Sequence, residues 1–387
     1  MRAAFLLPYP TGVAPGQRYR IEQWLGLLAP GAVDATILPL FSLGAYRHLY
    51  EPGGFARKGV QTAAALTRRV VQAVTAARAD VVVLYREAFP FGPGLIEGLL
   101  ERRVPLVYDF DDAIWLGETS AANAWAQRLK SPGKVGDIIA GAATTTVGNE
   151  YLARYARHYS AAVQVIPTTV DTDRYRPPPE GARSGPEAGG TRLVRIGWSG
   201  SRTTSRHLAS IDGALRRMLD ELPIELVVIG DPAFRLSGSS YADRVRVEPW
   251  RPETEIAEVG AFDVGLMPLP DDEWSRGKCG FKALLYMSLG VPPVVAPVGV
   301  NTEIVQAGVN GLTASSEEEW VEEVAKLVED AALRRSLGVA ARQTVVERYS
   351  GRAWAPRFLG VLEAAAAGGP GGGSSRPNQH REPYTEA

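Results

Sequence analysis

Lys278 and Lys282 stand four residues apart where the run SRGKCGFKALLYMSLGVPPVVAPVGVNTEIVQAGVNG passes from a glycine into an apolar helix. At that spacing both side chains reach toward the helix N-terminus from one side and add fixed charge to its exposed amides. Such an end suits a phosphate. Glu303 follows a short apolar strand and the turn Val298-Gly299-Val300, with Asn301 just before it. A carboxylate at that rim accepts hydrogen bonds from sugar hydroxyls, or simply complements the dipole of its own helix. A second candidate loop follows the apolar run LVRIGW and contains Gly200, Ser201, Arg202 and Thr203. Glycine permits close backbone approach, hydroxyls and amides donate, and the arginine fork matches a diphosphate. The plain alternative is a polar helix cap with a solvated arginine.

The first half offers carboxylates. PLVYDFDD places Asp109, Asp111 and Asp112 at the end of an apolar run, with Asp109 and Asp111 on one face if the strand continues. One of them could accept a proton, its pKa raised by a neighbouring like charge, or all three could cap a loop. Arg86 and Glu87 follow DVVVLY at the equivalent edge, where they pair with each other or line a ligand. Near the first strand, Gly12 and Gly16 form a loop, and Arg18 and Arg20 open a helix whose dipole they oppose, which hints at anion binding.

Positioning these residues requires strands and crossover helices. Short apolar runs (AAFLLP, DATILPL, DVVVLYR, PLVYDF, TTTVG, VQVIP) alternate with helical patterns over 18–29, 57–78 and 94–102. The alternation breaks in RPPPEGARSGPEAGGT, residues 176–191, and restarts with LVRIGW, ELVVIG, VRVEPW, DVGLMPL and PPVVAP. Two doubly wound units in tandem are expected, with ligands beyond the carboxyl ends of the strands. The boundaries read as a domain over 1–175, a linker over 176–191, a domain over 192–350, and a helix over 351–366 that could pack back on the first domain. A glycine-rich, disordered tail follows over 367–387. Ser316 and Glu319 form a capping box ahead of a core stripe of Trp320, Val321, Val324, Leu327 and Val328.

Composition sets limits. A chain of 387 residues, 45% hydrophobic and 22% charged, has the makings of two globular cores. Its formal net charge of -1 argues against nucleic acid as a partner. The single cysteine, Cys279, excludes an intramolecular disulfide, and no zinc-ligand spacing occurs. The opening MRAAFLLPYP reads as a buried strand, so a cytoplasmic protein is expected. The helix over 57–78 mixes Arg57, Lys58, Arg68, Arg69 and Arg78 with Val60, Ala64, Val70, Val71 and Val74. That pattern reads as a solvated charged face; peripheral membrane contact, the less favoured alternative, is implied only by the family resemblance that follows.

KALLYMSLGVPPVVA, VGVNTEIV and NGL resemble the C-terminal signature of GT-B glycosyltransferases of the family 4 type. GWSGSRTT, AFDVGLMPL and VIPTTVDTDRY extend the likeness, and RYRIEQW, LYREAFP and VYDFDDAIW resemble a bacterial subgroup. The resemblance implies an α/β GT-B fold, two Rossmann-like domains facing a central cleft. It implies retaining transfer of a sugar from a nucleotide-diphosphate donor to the hydroxyl of a glycan, glycolipid or small-molecule acceptor, with no cofactor and no metal. By position, Gly200, Ser201, Arg202, Thr203, Lys278, Lys282, Asn301 and Glu303 would hold the donor, and the strand bearing Trp250 would pass the nucleobase. Gly12, Arg18, Arg20, Arg86 and Glu87 would lie on the acceptor side, with Asp109, Asp111, Asp112 and Glu303 the candidate catalytic carboxylates.

One departure touches the donor. The family's E-x7-E carboxylates fall at Gly277 and Leu285 here. The second usually receives the ribose, so donor identity is left open, and two rivals stand: a GT-B nucleotide-sugar epimerase and a non-catalytic nucleotide-sugar-binding protein.

Overall fold

The computed structural model describes residues 1–49, 53–117, 130–131, 133–179, 187–188, 191–238, 241 and 243–370. It divides into two compact units, Met1–Thr168 joined by the chain from Trp354 onward, and Thr169–Ala353.

In the first unit, continuous apolar runs form β1 (Arg2–Leu7), β2 (Asp34–Pro39), β3 (Val81–Tyr85), β4 (Leu106–Phe110), β5 (Thr144–Val147) and β6 (Val163–Val165). They pair in parallel in the order β2-β1-β3-β4-β5-β6. β3 and β4 are buried along their whole length, as strands covered on both faces must be. Between β1 and β2 run α1 (Pro15–Gln17), a π-helix (Arg18–Glu22) and α2 (Gln23–Leu27). α3 (Leu43–Leu49) and α4 (Phe55–Ala76) lead to β3, α5 (Leu95–Glu101) to β4, and α6 (Lys134–Gly141) to β5, with α7 (Glu150–Arg157) following. The chain steps one way from β1 to β2 and the other way from β2 to β3. Right-handed crossovers therefore put α2 and α4 on opposite faces of the sheet.

In the second unit, a two-residue hairpin of β7 (Glu187–Ala188) and β8 (Thr191–Arg192) precedes a parallel sheet. Its strands are β9 (Val194–Ser199), β10 (Ile224–Ile229), β11 (Val245–Glu248), β12 (Val264–Met267), β13 (Pro293–Val295) and β14 (Leu312–Thr313), in the order β11-β10-β9-β12-β13-β14. The helices are α8 (Ser205–Ala209), α9 (Asp212–Glu221), α10 (Glu255–Gly260), α11 (Glu273–Arg276), α12 (Phe281–Ser288), α13 (Asn301–Ile304), α14 (Glu317–Glu329) and α15 (Ala331–Arg348). The capping box of α14 is made in both directions, and its apolar stripe is buried. Each sheet reverses its strand order once, at β1/β3 and at β9/β12, which are the points where open α/β sheets bind ligands.

Two boundaries differ from the sequence expectation. The units divide at Thr168/Thr169 because the following residues are hydrogen-bonded into the second unit: Val170 N donates to Tyr349 O at 3.0 Å, and Arg342 donates to Thr172 O and Tyr175 O, both at 2.7 Å. Residues 176–179, 187–188 and 191 of the expected linker follow the division and belong to the second unit; residues 180–186 and 189–190 lie outside the described residues, as does 371–387 of the expected tail. The last helix, α16 (Gly351–Gly368), sends Ala355, Phe358, Val361 and Leu362 into the first unit's core beside Phe5, Trp24 and Val83. Phe358 stacks on Trp24 with centroids 5.5 Å apart.

The orientation of α4 is a correction. Lys58 and Arg69 are buried, and Val60, Val70, Val71 and Val74 face outward. Arg69 explains the inversion: its guanidinium donates to Leu7 O at 2.7 Å, Leu38 O at 2.9 Å and Ala88 O at 2.8 Å, tying together the ends of β1 and β2 and the loop after β3. Burial lowers its pKa to about 10. Those carbonyls need donors in a place closed to water, and an arginine supplies three at once.

Candidate functional site

In the second unit the loop after β9 is set by its neighbours. Gly200 N donates to Ile229 O at 3.0 Å, Ser201 N to Thr204 Oγ1 at 3.0 Å, and Ser201 Oγ lies 2.8 Å from Thr203 Oγ1. Ser205 then starts α8 with its hydroxyl donating to the buried Asp231 carboxylate at 2.5 Å. Arg202 sits on this loop with its side chain exposed and, among the described residues, without an ion-pair partner. A cation held outward on an otherwise hydrogen-bonded loop is available to an anion.

Lys278 and Lys282 both act on the adjoining α8. Lys282 Nζ lies 5.5 Å from the ring centre of Trp198, the residue two before Gly200, and Lys278 Nζ lies 4.8 Å from that of Trp274. His207, in α8, has its pKa lowered to about 4 by burial first and then by the charges of Lys282, Arg206 and Lys278. The imidazole thus registers both lysines from across the switch point. α12 begins at Gly280, which has φ +68° and provides no side-chain cap. Asn301 is 1% exposed and donates Nδ2 to Ala296 O at 3.0 Å, while its Oδ1 is buried without a hydrogen-bond partner. A Cβ built at Gly280 would lie 3.6 Å from that Oδ1. The helix start and an unsatisfied polar group thus meet at one point.

Not every candidate joins this group. Glu303 is exposed on α13 and makes no hydrogen bond or ion pair with Arg202, Lys278 or Lys282. Its charge is felt instead by Tyr349, whose hydroxyl is pushed up by burial first. Trp250 donates Nε1 to the buried Glu255 at 2.9 Å, and Tyr175 donates to the other oxygen at 2.7 Å, so the indole is fixed beyond β11. Leu285 is fully buried in α12.

In the first unit the carboxylates part company. Asp109 and Arg20 are each 1% exposed and pair through both Asp109 oxygens; Arg20 also donates to Ile166 O, and Thr146 Oγ1 donates to Asp109 Oδ2 at 2.6 Å. Burial raises the pKa of Asp109, against the opposing effect of Arg20. Both residues are therefore scaffold, tying the π-helix to β4, which corrects the expectation that they touch a ligand. Arg18 is also buried, its guanidinium 5.2 Å from the ring centre of Tyr19. Gly12, at φ +82°, donates its amide to Glu22 at 2.8 Å.

Asp111 and Asp112 instead surround Arg86. Arg86 Nη2 donates to Asp111 at 2.8 Å and also to Asp112, while Tyr85 Oη donates to Asp111 at 2.8 Å. Burial opposes the charge on Arg86, but Asp111, Tyr85 and Asp112 outweigh it and hold its pKa well above the ordinary value. Among the described residues Arg86 is the one non-glycine with positive φ, 63°, a strained state its side-chain and backbone bonds maintain. A Cβ at Gly16 would lie 2.5 Å from Tyr85 Oη and 2.7 Å from Asp111 Oδ2, so α1 packs bare backbone on the cluster. Glu87 does not join it: Lys134 holds it at 3.3 Å and Glu97 at the same distance, and burial raises the pKa of Glu87.

Sequence reasoning missed His207, Ser205, Asp231, Gly230, Tyr85 and Lys134. The dipeptide Gly230-Asp231 straight after the apolar run ELVVI was a visible signal; the others carry none of their own.

Two parallel six-stranded sheets with crossover helices, each with one switch point, are the GT-B architecture. Residues 196–330 match the family described as Glycosyl transferases group 1. No curated protein matches the chain. The structure is similar to sucrose-phosphate synthase from Thermosynechococcus elongatus, with TM-score 0.72 and 14% identity over 95% of this chain and 99% of that one. It is also similar to Anabaena HepE solved in complex with UDP and glucose (TM-score 0.64, 15% identity, 94% and 100% covered). A glycosyltransferase from Rickettsia africae gives TM-score 0.60 at 12% identity, covering 94% and 98%.

Proposed function

We propose that the chain is a retaining glycosyltransferase that moves a sugar from a nucleotide-diphosphate donor to an acceptor hydroxyl. The observation that carries this is the exposed, unpaired Arg202 on the loop after β9, with Lys282 against Trp198 of that strand and Lys278 acting with it on His207 of α8, at the β9/β12 switch point. Three cationic side chains there match the charge that develops on a leaving diphosphate, and they would carry it without a divalent cation. Lys282 and Lys278 already lie against Trp198 and Trp274, so for them little reorganisation is needed as the glycosidic bond breaks. The match over residues 196–330 and the neighbour solved with UDP and glucose support the same ligand class.

The second unit thus handles the donor and the first the acceptor. In the first unit Asp111 and Asp112, held by Arg86, are the carboxylates left to orient the acceptor hydroxyl and receive its proton, with Asp109 supporting them from beneath. Glu303 is assigned to the sugar end of the donor, as an exposed group on the helix that Asn301 starts.

A panel of UDP, GDP, ADP and CMP sugars, read by thermal shift, tests donor binding. A donor at about 100 times its dissociation constant adds about 2.7 kcal/mol to stability. No shift with any of them overturns the proposal. Turnover of donor without acceptor and without nucleoside diphosphate release would favour the epimerase instead. One observation favours a non-catalytic binder: Leu285 is buried and Gly277 lacks a side chain where ribose-binding carboxylates are usual. Donor binding without product across an acceptor screen would establish that second reading.

A further inference from the structure

The motif VYDFDDAIW carries an aromatic side chain, Trp115, three residues beyond Asp112. After Asp112 the chain turns at once into a short 3-10 helix (Ile114–Leu116), with Ile114 N donating to Asp112 O at 2.7 Å and Leu116 N to Ala113 O at 3.0 Å. Ala113 is buried in that turn, and Trp115 is half-buried. The indole lies flat on Tyr155 of α7, with ring centres 3.8 Å apart and planes inclined by 5°. Tyr155 is itself buried, and the buried Phe110 meets the indole edge-on at 6.3 Å and 79°. Aromatic pairs ordinarily prefer an offset or edge contact to a face-to-face sandwich, because their π faces repel. The turn and the buried rings therefore fix the indole plane. Tyr151, one turn before Tyr155 and also half-buried, lies 6.1 Å from the indole at 25°. The exposed Arg154 guanidinium stands 5.6 Å from the Tyr151 ring centre. Among the described residues no further ring meets the indole, and its Nε1 donates to no partner.

The neighbours decide what this surface takes. β4 and β5 pair directly, so Trp115 and Tyr151 stand beyond adjacent carboxyl ends, at the edge that Asp111 and Asp112 share. Carboxylates accept from hydroxyls and disfavour a phosphate or another carboxylate. A pyranose has both surfaces this edge calls for. One face of polarised C–H groups meets the negative face of an indole, while its rim of hydroxyls donates to carboxylates and accepts from an indole N–H or a guanidinium. An acyclic polyol has the hydroxyls without the flat face, and a plain aromatic alcohol has a flat face without the rim.

We infer that Trp115, with Tyr151 beside it, stacks a pyranose ring of the acceptor, so that the ring is read as well as its reacting hydroxyl. This deepens the proposed transfer and rests on its assignment of the acceptor hydroxyl to Asp111 and Asp112. Trp115 sets specificity by holding the ring, while the carboxylates hold the hydroxyl.

The test is saturation-transfer-difference NMR on the full chain, without any nucleotide sugar. The probes are methyl glucoside, methyl galactoside, methyl mannoside, N-acetylglucosamine, maltose and cellobiose, with sorbitol and benzyl alcohol as controls. Saturation is expected on the C–H protons of one pyranose face and not on sorbitol. Trp115→Leu, which keeps an apolar side chain against Tyr155, should weaken the contact about tenfold while circular dichroism is unchanged, and Trp115→Tyr should retain it. Absence of contact with every sugar overturns the inference, as does contact indifferent to Trp115→Leu. Preference for benzyl alcohol over every sugar also overturns it, since an aromatic ligand would then be the occupant. The transfer reading fails separately. Sugar contact without stabilisation by any nucleotide sugar would leave a saccharide site and no transferase, whereas nucleotide-sugar stabilisation without sugar contact would keep the transfer and remove Trp115 from it.

Discussion

Gly230 has no room for a side chain because Gly200 occupies the space: a Cβ at Gly230 would lie 1.8 Å from the Gly200 carbonyl oxygen. Gly230 also holds φ +104°, and its amide donates to Glu248 O at 2.8 Å. The loops after β9 and β10 are locked together by absence of bulk. Gly230→Ala must push the Gly200 loop, and Arg202 with it, away from the α12 start. Loss of more than about 1 kcal/mol of stability is expected, together with loss of donor-induced stabilisation in thermal denaturation. Unchanged donor binding in a folded variant would show that the loop does not position the donor.

Arg202→Ala and Lys282→Ala test the cationic site itself. Each removes a charged donor from a phosphate and should weaken nucleotide-sugar affinity about tenfold to hundredfold in calorimetry. Arg202→Ala should not lower stability appreciably, since Arg202 is exposed and unpaired. Equal affinity in both variants would move the diphosphate elsewhere.

His207 reports on this site by titration. Its folded pKa of about 4 lies below its ordinary value near 6.5, so its contribution to stability is full above about 6.5 and is lost as pH falls toward 4. A bound diphosphate would oppose Lys282, Arg206 and Lys278, and should raise the imidazole pKa measured by NMR. In Lys282→Ala the pKa should rise part of the way, because burial is the larger cause. A value indifferent to nucleoside diphosphate counts against the phosphate assignment.

The carboxylates of the first unit separate by stability. Asp109→Asn leaves the Arg20 charge buried without its partner, and a loss of about 3–5 kcal/mol is expected in denaturant unfolding. Asp112→Asn, at a half-buried position, should keep most stability and donor binding while transfer falls. If Asp109→Asn instead left stability intact and abolished transfer, Asp109 would return to the catalytic set.

Some of this was legible before any coordinates. Runs such as DVVVLY and ELVVIG are satisfied as strands buried on both faces, so the two parallel sheets followed from local pattern. The capping box at Ser316 and Glu319 was equally local and is present. So was the placement of Arg202 in the loop just after β9, and of Lys278 and Lys282 on either side of the start of α12.

Pairings and facing decisions were not local. Arg20 meets Asp109 across 89 positions, and nothing in RYRIEQW distinguishes an arginine that binds a ligand from one that neutralises a buried carboxylate. On α4, amphipathicity marked two faces but not which one the sheet would take; Arg69 turns inward to the carbonyls of Leu7, Leu38 and Ala88, and the valines face outward. The strained φ of Arg86 likewise exists only because Asp109, Asp111 and Asp112 hold it from a neighbouring strand end. Periodicity and turn chemistry are properties of consecutive residues, and so the sequence alone determined the elements. Burial and charge compensation depend on what lies across the sheet, and only the tertiary structure decided those.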